Sequence, residues 1–260
     1  SRFKVTGNFV VTDKDGKKSE FRAEVPDYFD TQKEAEDFLE KCKTSEFSIA
    51  SVEKKPAKKS PSPPFTTSTL QQEASRKLRF SVSRTMLVAQ KLYEAGKITY
   101  MRTDSVNLSD FALDAAEKQI KDEYGKTYFH KRQFKTKSKT AQEAHEAIRP
   151  TDFSKENVAG TKEEKALYDL IWKRAIASQM SDAQLERTTL KVNVSKADEM
   201  FVAKGEIIKF DGFLKVYIES SDDENGENGD SGILPDISKG QKISFAEILA
   251  TQRYTRPPAR

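Results

Sequence analysis

The chain has 260 residues, of which 36% are hydrophobic and 33% charged, and a formal net charge of +4. This length can bury one sizeable core or two modest ones, and no window approaches the roughly 18 consecutive apolar residues that a membrane span needs. Cys42 is the only cysteine, which excludes an internal disulfide framework and a cysteine-based zinc site. The amino end lacks the pattern of a secretory signal, so we expect a cytoplasmic protein.

The charge is unevenly distributed along the chain. Residues 126–142 include six cations and no acid, whereas residues 219–230 include six acids and no cation. The first run is suited to face phosphate groups and the second would repel them; the alternative for either is a solvated loop. Charge alone therefore does not identify a polyanionic partner.

The first 52 residues predict a β-hairpin, a helix and a further strand. Apolar and polar residues alternate on both sides of a turn at residues 13–16, which is typical of a hairpin. Thr31 suits the N-cap of a helix that reaches Lys43, because Glu34 follows three residues later. The strands are expected around residues 3–11, 21–25 and 47–52.

Residues 54–64 are rich in proline, lysine and serine. Proline has no amide hydrogen for a helix interior or a central strand, so this stretch predicts a domain boundary.

From Thr66 to about Asp182 the spacing of apolar residues is mainly helical. A helix, a turn, a helix ended by Gly96 and a short strand resemble a winged-helix arrangement. Ser109 is expected to begin a third helix, and Trp172 to lie at the edge of the last. The predicted helices are residues 69–78, 83–95, 109–120 and 163–180, and the short strand is residues 98–101.

Strand patterns return after Asp182, at residues 189–194, 200–203, 213–218 and 242–245. Neither flank alone has enough strands for a stable sheet with a core, so both are expected to contribute to one domain. The sequence thus predicts a multi-domain α+β protein. A β-rich arch domain (1–63 plus 186–260) is interrupted by an inserted, mainly helical, winged-helix-like domain (64–185).

A tyrosine, an arginine and an aspartate alternate within residues 97–105, as Tyr100, Arg102 and Asp104. In an extended stretch, alternate side chains project from one face. A phenol can attack phosphorus if its proton is removed and a guanidinium balances the developing charge. Asp104 is placed to hold Arg102 or a nearby imidazole. The alternative is a half-buried strand tyrosine beside a structural ion pair.

A second candidate element is residues 144–150, with His145 and Arg149 four residues apart. An imidazole titrates near neutral pH and suits proton transfer or a phosphate contact. If the segment is helical, the two side chains share a face and Pro150 ends the helix. The alternative is an ordinary capped helix end.

Three blocks in order resemble the type IA DNA topoisomerases, in their bacterial topoisomerase I branch. They are PFTTSTLQQEA with KLYEAGKITYMRTDS, then AQEAHEAIRPT, then QRYTRPPAR at the carboxyl end. Met101 within the tyrosine block is similar to that branch rather than to topoisomerase III or reverse gyrase. The resemblance is strong from Pro64 to Thr151 and looser in the β-rich flanks.

This resemblance implies that Tyr100 attacks a single-strand phosphodiester, becomes linked to the 5′ phosphate, and releases the strand again after strand passage, without ATP. It implies that Arg102 binds the scissile phosphate and that Asp104 and His145 position groups and handle protons. DNA contacts are expected from Arg102, Arg149, Thr67, Ser68, Gln71, Gln72, Lys131, Arg132, Lys135 and Lys137.

The resemblance also implies an acidic Toprim domain that binds Mg²⁺ and precedes this region; no counterpart of it is found here, so we expect no metal site within the chain. The expected partners are single-stranded or negatively supercoiled DNA and the remaining domains of the same polypeptide. We expect no membrane association, a monomer, and a place in the bacterial nucleoid. Hinges are expected near Pro64 and Leu185.

Two other functions fit the same residues. One is a non-catalytic arch that binds single-stranded DNA, and the other is a helix-turn-helix regulator. Base-specific duplex binding would favour the regulator, whereas a preference for single strands without sequence choice would favour the arch or the topoisomerase.

Overall fold

The computed structural model describes residues 2–12, 16–134, 145–218, 234–235 and 237–254. The chain divides into two compact units, described separately below. The first comprises Ser1–Ala57, Leu185–Ile208 and Gly226–Arg260, and the second Lys58–Gln184 and Lys209–Asn225. Helices and strands both contribute substantially, which confirms the α+β class.

The first unit is built around a closed antiparallel barrel with the strand order β1-β2-β5-β4-β3-β6. β1 pairs with β2 on one side and with β6 on the other, so the predicted amino-terminal hairpin is confirmed. Closure leaves no unpaired sheet edge. The strands are β1 Arg2–Thr12, β2 Lys18–Glu24, β3 Phe47–Lys59, β4 Ala183–Val194, β5 Phe201–Phe210 and β6 Lys242–Arg253.

Four phenylalanines fill the centre of the barrel. The Phe9 ring lies 5.7, 5.5 and 5.1 Å, centroid to centroid, from the rings of Phe21, Phe47 and Phe201. Gly7 allows this packing, because a Cβ there would come within 2.8 Å of the Phe9 ring. The core therefore depends on aromatic rings from four different strands, which the alternating pattern of each strand brings inside.

One helix, α1 (Gln32–Lys43), packs on this core. The predicted capping box is confirmed: the Thr31 hydroxyl accepts from the Glu34 amide, and the Glu34 carboxylate accepts from the Thr31 amide. Phe38 and Cys42 are buried on its inner face. Burial, with a smaller effect of Glu199, raises the pKa of the Cys42 thiol to about 11, so Cys42 is an apolar filler.

The second unit contains four α-helices in the described residues. α5 packs against both α2 and α3, and ten of its residues are buried, so it is the central helix. Trp172, predicted at the edge of α5, is buried instead, because its indole N–H donates to the Phe153 carbonyl at 2.9 Å. The helices are α2 Thr67–Leu78, α3 Val82–Glu94, α4 Asp110–Glu123 and α5 Lys162–Ser178.

The helix ends of this unit largely follow the sequence signals. Ser109 caps α4 as predicted, and Gly96 follows α3 with a positive φ of 69°. α2 begins earlier than predicted, because the Thr66 hydroxyl accepts a hydrogen bond from the Thr69 amide. Arg79 ends α2 in the left-handed conformation at φ 59°. No helix in the described ranges is long and apolar enough to cross a bilayer.

Two strand predictions were wrong, although the division between the two units, at Ala57 and Lys58, falls within residues 54–64 as predicted. β3 continues to Lys59 through the proline- and lysine-rich stretch; Pro56 is exposed there, where a missing amide hydrogen is tolerated. The predicted strand at residues 213–218 is instead a 3-10 helix, Gly212–Lys215, followed by a turn. Gly212 has a positive φ of 51°, and a Cβ there would clash with the Ser181 carbonyl, so this position requires glycine. The Val216 and Tyr217 amides both donate to the Phe213 carbonyl at 3.0 Å, which closes the turn.

Residues 209–218 belong to the second unit, although we predicted them in the domain formed by the flanks. The Tyr217 hydroxyl donates to the buried Glu73 carboxylate at 2.7 Å, and the Tyr128 hydroxyl donates to Asp211 at 2.7 Å. Burial, reinforced by the bond to Glu73, raises the pKa of Tyr217. These contacts attach the segment to α2 and to the stretch after α4.

Candidate active site

Residues 97–105, called here the Tyr100 segment, present alternate side chains to solvent. Tyr100 is 44% exposed, and Arg102 and Asp104 are exposed, whereas Met101 and Ser105 are buried. The predicted alternation is confirmed. The predicted strand at residues 98–101 is not regular, since it is reduced to a single bridge between Ile98 and Pro150. The exposed tyrosine, guanidinium and carboxylate therefore come from an irregular segment whose conformation other residues must fix.

Residues 147–151 fix the segment before Tyr100. The Thr99 amide donates to the Arg149 carbonyl at 2.9 Å, and the Arg149 amide donates to the Thr99 hydroxyl at 2.9 Å. That hydroxyl in turn donates to the Ala147 carbonyl at 2.7 Å. Thr99 thus uses its hydroxyl as donor and acceptor at once.

The first residue of α2 fixes the segment after Tyr100. The Thr67 hydroxyl donates to the Met101 carbonyl at 2.7 Å and accepts from the Thr103 amide at 2.9 Å. The Thr67 amide donates to the Thr103 carbonyl at 2.9 Å. The main chain is therefore held before Tyr100 by Thr99 and after Tyr100 by Thr67. Each of these threonines bonds main-chain groups that are distant in sequence.

A second tyrosine contacts Tyr100. The ring of Tyr93, near the end of α3, lies 5.2 Å from that of Tyr100, at an interplanar angle of 65°. This edge-to-face arrangement is a favourable one for aromatic rings. Tyr93 is 43% exposed, so the two phenols are about equally accessible.

Arg102 and Asp104 do not pair with each other in the described part of the chain. Both side chains are exposed, and neither makes an ion pair or a side-chain hydrogen bond with another described residue. The structural ion pair considered as an alternative is therefore absent among these residues. The guanidinium is available for an external anion such as a phosphate group.

The segment after His145 is extended and not helical, so the predicted helical face shared by His145 and Arg149 was wrong. Ile148 and Pro150 form bridges with Phe65 and Ile98, and this pairing holds the backbone extended. His145 is exposed.

Arg149 is 7% exposed, and its guanidinium is occupied within the chain. It donates to Glu146 at 2.7 Å and to the Pro150 carbonyl at 2.9 Å, while Glu146 also accepts from the Ser109 amide at 2.7 Å. Burial alone would raise the pKa of Glu146, but the hydrogen bonds from Arg149 and Ser109 lower it below its usual value. This geometry favours a structural role for Arg149 over the direct DNA contact that we predicted.

The other predicted DNA contacts on α2 lie along its first turns. Ser68 and Gln72 are exposed and hydrogen-bonded to each other at 3.2 Å, and Gln71 is half-buried. They are close in sequence to Thr67, whose hydroxyl is occupied by the Tyr100 segment.

The described cations of the basic run (residues 126–142) differ in their exposure. Lys131 is exposed, but Arg132 is half-buried, with its guanidinium bonded to Asp182 and to the Met180 carbonyl. Burial lowers the pKa of Arg132, against the opposing effect of Asp182. This environment favours a structural role for Arg132. Lys135 and Lys137 lie outside the described residues.

Three features of this site were missed from the sequence. Tyr93, Thr99 and Glu146 carried no predicted role, and Thr67 was predicted only as a DNA contact. A sequence signal exists for Glu146, an acid three residues before an arginine. None exists for the threonines, because their partners are main-chain groups more than 30 residues away.

Among the described residues, no three carboxylate, imidazole or thiol groups come together as a metal site would require.

Comparisons with known proteins converge on one family. A family model described as DNA topoisomerase matches residues 3–260. The chain is 51% identical over 221 residues to DNA topoisomerase 1 of Synechocystis, covering 82% of this chain and 24% of that protein. It is 42% identical over 261 residues to DNA topoisomerase 1 of Haemophilus influenzae, covering 96% and 29%.

A solved structure gives the same result. Full-length topoisomerase I from Thermotoga maritima matches with a TM-score of 0.72 and 31% identity, over 98% of this chain and 41% of that one. The chain thus spans less than a third of the two sequence relatives and less than half of the solved chain.

Proposed function

Since this chain belongs to the family of bacterial type IA DNA topoisomerases, we propose that it supplies the tyrosine that cuts and reseals one DNA strand. One observation carries the proposal. Tyr100 is exposed in a segment fixed on both sides by threonine hydrogen bonds, and two residues later follows the Arg102 guanidinium, which has no partner among the described residues. A nucleophile needs access to its substrate and a fixed direction, and both are present.

The proposed reaction is a transesterification. The Tyr100 oxygen, as its proton leaves, forms a bond to the phosphorus of a phosphodiester in a single strand. The bond from phosphorus to the 3′ oxygen breaks, and that oxygen takes up a proton to become a 3′ hydroxyl. The 5′ phosphate is then held as a phosphotyrosine. After the intact strand has passed, the 3′ hydroxyl attacks the phosphotyrosine and restores both the strand and the phenol, so ATP is not consumed.

The neighbouring side chains have separate roles in this proposal. Arg102 binds the scissile phosphate, where its charge stabilises the negative charge that develops on the phosphoryl oxygens. Asp104 and His145 are proposed to position the reacting groups and to transfer the proton that leaves the Tyr100 hydroxyl. Both side chains are exposed. Exposed Ser68, Gln72 and Lys131 are proposed to contact the DNA backbone.

The substrate and the remaining parts of the reaction belong to the longer family members. We propose negatively supercoiled DNA as the substrate, with a Toprim domain supplying the acidic groups and Mg²⁺. On this proposal the chain by itself binds DNA but does not cleave it.

Adduct formation tests the proposal. The chain is mixed with a separately produced Toprim-containing portion of the family, Mg²⁺ and an end-labelled single-stranded oligonucleotide, and the mixture is denatured. We expect a covalent protein–DNA adduct joined through a 5′ phosphate, so a label on the 3′ end of the oligonucleotide stays with the protein and a label on its 5′ end does not.

The Tyr100→Phe variant should form no adduct and should keep its fold, because the Tyr100 hydroxyl makes no hydrogen bond among the described residues. Tyr93→Phe is the matched control and should form the adduct. An adduct that persists in Tyr100→Phe would show that the nucleophile is another residue.

A second function has its own support. Tyr93 and Tyr100 form an exposed aromatic pair, and the exposed cation Arg102 follows Tyr100 by two residues; aromatic rings together with cations are what proteins use to stack and hold single-stranded nucleic acid. The chain would then be a binding module without chemistry. Tight binding with no adduct, once the two portions are shown to associate, would favour this alternative.

A further inference from the structure

We infer that Thr67 is a positioning residue that sets the direction of Arg102 relative to Tyr100, and not a direct DNA contact. This inference rests on the proposed function. It concerns the hydrogen bonds between the first turn of α2 and the Tyr100 segment.

One hydroxyl holds both peptide groups that flank Arg102. The Met101 carbonyl belongs to the peptide that precedes Arg102, and it accepts from the Thr67 hydroxyl at 2.7 Å. The Thr103 amide belongs to the peptide that follows Arg102, and it donates to the same oxygen at 2.9 Å. The orientations of these two peptides determine φ and ψ of Arg102, so Thr67 determines the direction in which that side chain leaves the backbone.

The surroundings of Arg102 leave the direction of its side chain to the main chain that Thr67 holds. The Arg102 side chain is exposed and makes no bond of its own with a described residue, so no side-chain contact orients it. Met101, next to it, is buried and anchors the segment on one side only. Thr67 is itself fixed, because its amide donates to the Thr103 carbonyl and it begins a helix capped by Thr66.

The chemistry requires a hydroxyl at this position. A group that donates to a carbonyl and accepts from an amide at the same atom is supplied by threonine or serine. Valine has the same shape as threonine but can do neither, so Thr67→Val leaves the Met101 carbonyl and the Thr103 amide to find other partners. A displacement of about 1 Å near reacting groups can reduce a rate by about 100-fold.

Three variants test the inference. Thr67→Val removes the hydroxyl and keeps the shape, and Thr67→Ser keeps the hydroxyl. Thr85→Val is the matched control: the buried Thr85 hydroxyl donates to the Ser81 carbonyl at 2.9 Å, at the amino end of α3, and makes no hydrogen bond with the Tyr100 segment among the described residues.

Each variant is combined with the Toprim-containing portion, Mg²⁺ and the labelled oligonucleotide. The single-turnover rate of adduct formation and the Kd for the same oligonucleotide without Mg²⁺ are measured separately. We expect Thr67→Val to form the adduct more slowly by about tenfold or more, with its Kd changed less than about threefold. Thr67→Ser and Thr85→Val should stay within about threefold of the wild-type rate.

The outcomes separate the inference from the function on which it rests. If the wild-type chain forms no adduct, the proposed function fails. If the wild-type chain forms the adduct and Thr67→Val does so at the same rate, the inference fails alone. A parallel loss of Kd and rate would overturn it in favour of a direct DNA contact, and an equal loss in Thr85→Val would show a general loss of packing.

Discussion

The barrel and the Tyr100 segment are held in different ways. In the barrel, side chains inside hold each other, and Phe9 alone contacts three other aromatic rings. In the Tyr100 segment, the side chains of Tyr100, Arg102 and Asp104 are exposed, and hydroxyls of Thr67 and Thr99 hold the backbone. The difference indicates that stability can be supplied by apolar packing, whereas an exposed side chain such as that of Tyr100, the proposed nucleophile, must be fixed through the main chain beneath it.

The largest stability effect is expected in the barrel. Phe9→Ala should lower the free energy of unfolding of the first unit by about 3–5 kcal/mol, because it removes a fully buried ring and leaves a cavity. Denaturant unfolding followed by circular dichroism measures this. Phe245→Ala is the control: this ring contacts Phe47 but is 38% exposed, so a smaller loss is expected. Equal losses would contradict the central place of Phe9.

A smaller loss of stability is expected when the partly buried Glu146–Arg149 ion pair of the second unit is removed. Glu146→Gln should lower the free energy of unfolding by about 2 kcal/mol, because the charged hydrogen bond to the buried Arg149 is lost. The exposed Arg84–Glu163 pair offers a matched control, and Glu163→Gln should cost less than Glu146→Gln because solvent screens that pair.

The stability that Glu146 contributes should depend on pH. Its pKa is lower in the folded chain than in the unfolded chain, where it is about 4.3. Its contribution to stability is therefore present above the unfolded value and is lost as the pH falls through the folded value. The difference in unfolding free energy between wild type and Glu146→Gln should shrink below about pH 4. A difference that is constant down to pH 2 would show that the charge of Glu146 contributes nothing.

The smallest effect is a gain in stability at the turn between α2 and α3. Arg79 has a left-handed backbone, which disfavours residues with a Cβ, so Arg79→Gly should raise the free energy of unfolding by about 1 kcal/mol. Arg79→Ala removes the same side chain but keeps the Cβ, and it should give no gain. Thermal unfolding of both variants measures the difference. A gain in the alanine variant would show that the arginine side chain, and not its backbone, is the source.

The sequence predicts best what depends on local pattern. The capping box at Thr31, the end of α3 at Gly96 and the barrel hairpin all rest on residues close together in the chain, and each is present. The strand predicted at residues 213–218 failed because the Val216 and Tyr217 amides bond back to the Phe213 carbonyl and close a turn, which alternation of side chains does not report.

The site was predictable in its exposed groups and not in its supports. Alternation predicted that Tyr100, Arg102 and Asp104 project from one face and left open whether Tyr100 is half-buried; the structure shows all three exposed. The helical pairing of His145 with Arg149 failed, because bridges from Phe65 and Ile98 hold that stretch extended. Those bridges join residues 83 and 52 positions apart, and the hydrogen bonds of Thr67 and Thr99 join residues 34 to 50 positions apart, so neither leaves a periodic signal.

The most direct test of the central claim is to locate the attached nucleotide, because Tyr93 and Tyr100 are in ring contact and about equally exposed. Trypsin cleaves after Lys91, Lys97 and Arg102, so the two tyrosines fall in separate peptides, residues 92–97 and 98–102. After nuclease digestion of the adduct, mass spectrometry should find the phosphonucleotide on residues 98–102. Attachment to residues 92–97, or to any other peptide, would contradict the assignment of Tyr100 as the nucleophile.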